Sequence, residues 1–176
     1  GQQLLLTTLT ASADNFDLAT IAAEGGSGPV DLITTPGPTR EIDARFSPDG
    51  RWFAYQSNES GRYEIFLQAF PRSGGKWQVS TAGGSAPMWR GDGKEIVYQG
   101  QDETFFAVTV NAAGAGFDIG VPVKLFQHRM VHGNYERNSW TVTRDGQRFL
   151  LVVPLEDNSS RGIQIVQNWA AGLKKQ

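Results

Sequence analysis

The stretch of sequence that decides the fold is Ala44-Arg45-Phe46-Ser47-Pro48-Asp49-Gly50-Arg51-Trp52-Phe53-Ala54-Tyr55. An apolar segment leads into Ser-Pro-Asp-Gly, and a β-prone run follows directly. Asp-Gly favours a tight hairpin, because glycine accepts a positive φ without a Cβ penalty and aspartate can bond the local backbone. The stretch therefore predicts two antiparallel strands joined by a turn.

The same hairpin pattern occurs twice more, at Trp89-Arg90-Gly91-Asp92-Gly93 and at Val142-Thr143-Arg144-Asp145-Gly146, each before another β-prone run. The turn glycines Gly50, Gly93 and Gly146 stand 43 and 53 residues apart. A period of about 40 to 50 residues built from strands is typical of propeller blades. The pattern therefore indicates a repeat of blades rather than a helical solenoid.

Further β-prone runs complete a plan of four antiparallel strands per blade. We predict an all-β fold, a single β-propeller fragment over 1–176 that forms a partial ring of about four blades. The predicted blades are 1–43, which lacks its first strand, then 44–84, 85–127 and 128–176. We expect this sequence to be a piece of a longer protein. A homodimer of two arcs is one way in which the exposed blade edges could be covered.

Composition excludes several classes of function. With 16 Lys and Arg against 18 Asp and Glu, the formal net charge is −2, so the overall charge does not favour a nucleic-acid partner. The absence of cysteine excludes disulfides, thiolate metal sites and a cysteine nucleophile. No run approaches the roughly 18 apolar residues of a membrane helix, so we expect no direct membrane insertion of this segment.

The stretch from Ala44 to Tyr55 closely resembles the PD40 repeat of TolB-like, WD40-like β-propellers. The segments Val142–Leu151 and Val166–Lys175 are similar to the C-terminal ends of bacterial, often acidobacterial, proteins in which a serine/threonine kinase domain precedes such a propeller. The resemblance implies a sensor or protein-interaction surface, with the kinase activity in another domain. The kinase motifs themselves are absent from this sequence.

The carboxylates at Asp49, Asp92 and Asp145 recur at one position of the repeat, so we interpret them as hairpin closers rather than as catalytic acids. His128, His132 and Glu136 are spaced four apart, as in a helical metal site, but Gly133 interrupts the run and the surroundings are strands. We therefore predict no catalytic residue, no metal site and no cofactor.

The second repeat interval is the longer one, and most of its extra residues are expected between Phe126 and Trp140. Insertions fall on loops, and loops carry binding. The segment from Gln127 to Asn138 is therefore our predicted contact loop, with a solvated connection that binds nothing as the alternative. Its candidate side chains offer hydrogen-bond donors, a stacking ring and groups that titrate near neutrality: His128, Arg129, His132, Asn134, Tyr135 and Arg137.

The five tryptophans are interpreted mainly as core residues. Trp52 begins a strand, and Trp89 and Trp140 stand at or near the repeat position of Phe46, where an aromatic ring fills the space between blades. Trp77 and Trp169 are less constrained by the pattern and are the two that we expect could be exposed.

Two hypotheses for function follow. The first is a non-catalytic sensor or interaction module of a larger signalling protein, such as a membrane-anchored serine/threonine kinase with an extracytoplasmic propeller, that binds a protein, a peptide or a cell-envelope component. The alternative is a propeller that gates or supports an enzyme, a serine peptidase or a polysaccharide lyase, encoded elsewhere in a longer chain. The sequence alone leaves the compartment open.

Overall fold

The computed structural model of the chain describes residues 2–9, 15–113, 116–130, 139–154 and 162–167. Within these ranges every helix or strand assigned is a strand, and neighbouring strands of each sheet pair antiparallel. No helix in the described part of the chain could span a membrane. The predicted all-β architecture is confirmed.

The strands form four sheets, which we call blades 1 to 4 in chain order. Blade 1 consists of β1 (Gln3–Leu9), β2 (Phe16–Ala22) and β3 (Val30–Ile33). Blade 2 consists of β4 (Glu41–Phe46), β5 (Trp52–Ser57), β6 (Glu64–Ala69) and β7 (Lys76–Gln78). Blade 3 consists of β8 (Ser85–Trp89), β9 (Glu95–Gln99), β10 (Thr104–Ala113), β11 (Gly116–Ile119) and β12 (Val123–Gln127). Blade 4 consists of β13 (Trp140–Val142), β14 (Arg148–Val153) and β15 (Gly162–Gln167).

Blade 3 carries a strand that the sequence pattern did not predict. Its third strand, β10, pairs with β9 and β12 near its start and with β11 farther along, from Val110 opposite Ile119 to Ala113 opposite Gly116. This hairpin lies before Phe126. The expectation that most of the extra length falls between Phe126 and Trp140 is therefore wrong in part, because the β10–β11 hairpin takes a share of it.

Side-chain alternation along the strands divides the core into three clusters, one between each pair of neighbouring blades. In β5, Phe53 and Tyr55 belong to the cluster shared with blade 1, whereas Ala54 between them belongs to the cluster shared with blade 3. In β9, Ile96 packs towards blade 2 and Val97 towards blade 4. Blades 2 and 3 are thus buried through both faces, as in a propeller, whereas blades 1 and 4 each contribute one face to these clusters.

Hydrogen bonds also join blades 2 and 3. The indole Nε1 of Trp89 donates to the carbonyl of Arg45 at 3.1 Å, which links the first strands of the two blades. The buried amide of Ala86 donates to Oε1 of Gln56 at 2.7 Å. These bonds fix the relative position of the blades, so the turns at the strand ends have fixed neighbours.

Two buried glutamates lie near the ends of strands opposite the Asp-Gly turns. Glu64 accepts hydrogen bonds from Arg62 Nε at 2.7 Å, from the Gly83 amide at 3.0 Å and from the Ser80 hydroxyl. Glu41, which is fully buried, accepts a bond from the Ser57 hydroxyl at 3.1 Å. Burial raises the pKa of Glu41, and the nearby carboxylates add to the rise, although hydrogen bonds partly offset it.

Candidate functional site

The three repeated turns share one backbone geometry. In each, the glycine amide donates to the carbonyl three residues earlier, at 2.9 Å for Gly50, 2.9 Å for Gly93 and 2.8 Å for Gly146. The glycine φ values are 72°, 71° and 72°. Only the glycine has a positive φ, which L side chains rarely adopt, so each turn depends on the glycine of its Asp-Gly pair.

The turn aspartates close these hairpins, which confirms their structural interpretation. Asp49, Asp92 and Asp145 each accept a bond from the backbone amide two residues later, at 3.1, 3.0 and 3.0 Å. The residue two positions before each aspartate contributes a second bond from its side chain: the Ser47 hydroxyl at 2.6 Å, the Arg90 guanidinium at 2.7 Å and the Thr143 hydroxyl. Different side chains thus perform the same task, so the departures from Ser-Pro-Asp-Gly leave the turn intact.

Turns of neighbouring blades lie against one another at this end of the strands, which we call the turn face. The amide of Gly91 donates to the carbonyl of Arg144 at 2.7 Å. A Cβ atom at position 91 would sit 2.8 Å from that same oxygen, so only glycine permits this approach. The backbone of Arg144 in blade 4 is therefore held directly beside the turn of blade 3.

The turn face contains a cleft of about 580 Å³, which we call the turn cleft. Its lining comes from the turns of blades 2 and 3, from the β10–β11 hairpin and from Arg144 of blade 4. The residues are Ser47, Pro48, Asp49, Arg51, Trp52, Trp89, Gly91, Asp92, Gly93, Lys94, Val110, Asn111, Phe117 and Arg144. The volume falls within the range of about 300 to 1,000 Å³ that is usual for ligand pockets.

Aromatic rings form the floor of the turn cleft. Trp52, Trp89 and Phe117 are half-buried and pack on the core cluster between blades 2 and 3. The rings of Trp52 and Phe117 meet edge to face, with centroids 4.3 Å apart, and Trp77 lies against both at 5.9 and 5.8 Å. Trp77 is thus half-buried in this ring cluster, although the sequence left its exposure open. The floor is rigid apolar surface that reaches solvent.

The rim of the turn cleft is charged, and its carboxylates are already paired. Asp49 forms an ion pair with Arg51 at 2.7 Å, and Asp92 forms one with Arg90 at 2.7 Å. Lys94 and Arg144 are exposed, and neither forms an ion pair with another described residue. The rim therefore offers positive charge that its own carboxylates do not neutralise.

The hydrogen bonds of the turns keep these carboxylates ionised. The Arg90 guanidinium is the main cause that lowers the pKa of Asp92 to about 2. Burial would raise the pKa of Asp49, but bonds from Ser47 and from the Arg51 amide outweigh it and lower the pKa. Both groups are held as acceptors, which does not suit them to donate protons near neutral pH.

The opposite ends of the strands form the loop face, where a smaller cleft of about 230 Å³ lies, the loop cleft. Its lining is polar and consists of Tyr63, Gly84, Ser85, Gln99, Gly100, Gln101 and Glu103. The described part of the chain contains no group of three or more His, Asp or Glu side chains placed to hold a metal ion.

The predicted contact loop begins beside the loop cleft. The His128 amide donates to the Glu103 carbonyl at 3.2 Å, and the Met130 amide donates to the Glu103 carboxylate at 3.3 Å. His128 is half-buried, Arg129 is exposed and Met130 is buried in the core between blades 3 and 4. The other predicted side chains, His132, Asn134, Tyr135 and Arg137, lie outside the described residues, as does Trp169. The loop remains a prediction.

Sequence reasoning missed the turn cleft as a unit. Arg51 and Lys94 directly follow the Asp-Gly pair, and Arg144 directly precedes one. These positions flank equivalent turns, and equivalent turns of neighbouring blades meet at one end of a propeller. The positions of the three cations in the repeat could therefore have predicted that they lie at one end of the propeller.

Solved structures with a similar fold are β-propellers. TolB from Acinetobacter baumannii matches with a TM-score of 0.66 and 15% identity, over 96% of this chain and 38% of that chain. Oligogalacturonate lyase in complex with manganese matches with a TM-score of 0.64 and 14% identity, over 95% of this chain and 45% of that chain. The Cps50 (Swd1) β-propeller domain of Myceliophteria thermophila matches with a TM-score of 0.55 and 9% identity, over 86% of this chain and 50% of that domain structure.

These likenesses show that the fold is that of a TolB-like β-propeller and of other propeller domains, and that it forms an open part of such a ring. The chain spans half or less of the length of each of these three chains. No protein-family model matches the sequence, and neither does any curated protein.

Proposed function

We propose that this chain is a non-catalytic protein-interaction or sensor module and that the turn cleft holds the partner. The observation that carries this proposal is the aromatic floor of Trp52, Trp89 and Phe117 under a charged rim. Two cations of that rim form no ion pair with any residue that the structure describes. Exposed aromatic surface next to charged groups is typical of recognition sites. The rim carboxylates of Asp49 and Asp92 are engaged in closing turns, which supports binding rather than acid–base chemistry at this site.

A peptide selection tests the proposal. Random peptides selected on the immobilised protein should lose binding to the variant Asn111→Trp, because Asn111 is exposed and lines the cleft, so that a large side chain there fills it. A matched variant at the loop cleft, Gln101→Trp, should bind the same peptides unchanged. If the selected peptides bind Asn111→Trp as well as the wild-type protein, or if the selection returns no binders, the proposal is wrong.

The wider setting that we propose is a larger signalling protein, such as a serine/threonine kinase, with the propeller in an extracytoplasmic position. The similarity of Val142–Leu151 and Val166–Lys175 to kinase-linked propeller ends supports this setting. The full-length gene tests it, because an upstream kinase domain is expected, whereas a peptidase or lyase domain would support the alternative of a propeller that serves another enzyme.

Self-association of the arc is part of the same proposal. Leu4 and Leu9 in blade 1 and Leu150 and Val152 in blade 4 are large apolar side chains that remain exposed. A second copy that covers these surfaces would give a mass twice the 19.2 kDa of the chain. Light scattering behind a sizing column, over a range of concentrations, should find this dimer. A strict monomer would contradict self-association but would leave the turn cleft as the contact site.

A further inference from the structure

We infer that the partner held in the turn cleft is an acidic peptide segment, whose carboxylates face Lys94 and Arg144 while an apolar side chain lies on the aromatic floor. The inference rests on the proposed function, because it names the chemical class of the ligand for the same cleft. It follows from the charges of the rim, from the rigidity of the floor and from the fixed position of Arg144.

The charged groups of the rim favour an acidic ligand. The carboxylates of Asp49 and Asp92 each have an arginine of their own at 2.7 Å. Arg90 also lies 3.3 Å from Glu95. Of the three cations that line the cleft, Lys94 and Arg144 have no carboxylate partner among the described residues. A ligand that brings carboxylates would complete these pairs with charge-assisted hydrogen bonds, whereas a cationic ligand would meet repulsion.

The aromatic floor favours an apolar side chain in the ligand. Trp52 and Phe117 lock each other edge to face, and the Trp89 indole is bonded to the Arg45 carbonyl. Rings that are already fixed lose little entropy when a ligand covers them. An apolar ligand side chain would therefore gain from burial on this surface.

The backbones of Lys94 and Arg144 are held beside the same turn. The bond from the Gly91 amide to the Arg144 carbonyl holds the backbone of Arg144 beside the turn of blade 3. Lys94 follows the glycine of that same turn, and its amide is bonded to Asp92 at 3.0 Å. Two cations from different blades thus flank one cleft. An extended peptide directs successive side chains to opposite sides. A peptide in which acidic and apolar residues alternate can therefore place its carboxylates at the rim and its apolar side chains on the floor.

The test uses a fluorescein-labelled peptide of alternating glutamate and leucine and a control peptide in which glutamine replaces every glutamate. Fluorescence anisotropy with the purified chain measures both affinities at low and at physiological ionic strength. The double variant Lys94→Gln/Arg144→Gln is compared with Lys124→Gln/Arg148→Gln, which removes the same charge from exposed positions outside the cleft. Thermal unfolding of both variants verifies that they fold.

The acidic peptide should bind the wild-type chain, weaken as salt is added, and bind the cleft double variant about tenfold more weakly, with less than about a twofold change in the matched variant. An equal loss of affinity in both double variants would mean that overall charge and not the cleft attracts the peptide. Equal affinity for the glutamine peptide would mean that the carboxylates do not contribute to binding. Alginate that binds the wild-type cleft when the peptide does not would mean an anionic polysaccharide. Each of these results overturns the inference.

The proposed function fails in a different way. Peptides from the random selection that lose binding to Asn111→Trp but carry no acidic residues, and that bind Lys94→Gln/Arg144→Gln normally, would overturn the acidic-peptide inference and leave the binding module standing. Selected peptides that bind Asn111→Trp as well as the wild-type chain would overturn both the proposed function and the acidic-peptide inference.

Discussion

The turn face and the loop face of this arc are the two ends of the same strands, yet they are built differently. At the turn face three equivalent turns repeat one set of hydrogen bonds, their carboxylates are exposed, and the pKa values of Asp49, Asp92 and Asp145 are lowered. At the loop face the connections differ in length, and the carboxylates of Glu41 and Glu64 are buried. The regular turns border an aromatic cleft, whereas the buried carboxylates of the irregular end accept hydrogen bonds from blade 2 and from the connection that follows it.

The largest expected effect comes from the floor of the turn cleft. Trp52→Ala should lower the free energy of unfolding by about 2 to 4 kcal/mol, because its ring packs on Trp77 and Phe117 between blades 2 and 3. Gln101→Ala, at the exposed edge of the loop cleft, should stay within about 0.5 kcal/mol. Urea denaturation followed by circular dichroism measures both. Equal losses would mean that the two clefts contribute alike to the core.

A smaller effect is expected at the turn backbone. Gly50→Ala should destabilise by about 1 to 2 kcal/mol, because alanine is strained at a φ of 72°. Nothing lies within 4 Å of a Cβ at position 50, so backbone strain is the cause rather than a clash. Gly28 has equally open space without a positive φ, and Gly28→Ala is the matched control, which should change little. The same denaturation experiment applies, and a harmless Gly50→Ala would remove the conformational basis of the repeated turn.

The smallest effect separates the two faces by pH. Burial raises the pKa of Glu41 in the folded state above its ordinary value of 4.5. The folded state therefore loses stability as the pH rises from this ordinary value through the raised pKa and the carboxyl group ionises. Glu41→Gln should therefore raise the melting temperature by a few degrees near pH 7 and hardly change it near pH 4. The turn carboxylates, with lowered pKa values, act in the opposite sense and lose their contribution only in stronger acid.

Thermal unfolding at about pH 4 and about pH 7 tests this prediction. The exposed Glu24→Gln serves as control and should leave the melting temperature unchanged at both. A Glu41→Gln variant that is less stable at neutral pH than the wild-type chain would mean that the ionised carboxylate stabilises the fold through its hydrogen bonds. The carboxylates of the two faces would then not differ in their effect on stability.

The sequence predicted the features that the chain repeats. The turns at Gly50, Gly93 and Gly146 and the strand β2, Phe16–Ala22, could be predicted because turn chemistry and alternation are local signals. The hairpin that carries β11 was missed, since Ala112, Ala113 and Gly116 are small residues that carry no alternating pattern. This hairpin is stabilised by contacts between residues far apart in the sequence, because Phe117 packs on the rings of Trp52 and Trp77 in the neighbouring blade.

The candidate site was harder to predict for the same physical reason. Arg51, Lys94 and Arg144 come from three different turns, and only the packing of blades brings them to one cleft. The longer repeat interval and the polar side chains drew attention instead to the segment from Gln127 to Asn138. Density in sequence is a local property, whereas a binding surface on a propeller is assembled from several blades.

The most direct test of the central claim, that the turn face is the contact surface, is an NMR titration of the ¹⁵N-labelled chain with the glutamate–leucine peptide. We expect the indole signals of Trp52 and Trp89 and the amide signal of Lys94 to shift, while the amide signals of His128 and Arg129 stay in place. Shifts confined to His128, Arg129 and the residues that follow them would contradict it and would move the contact surface to the loop face.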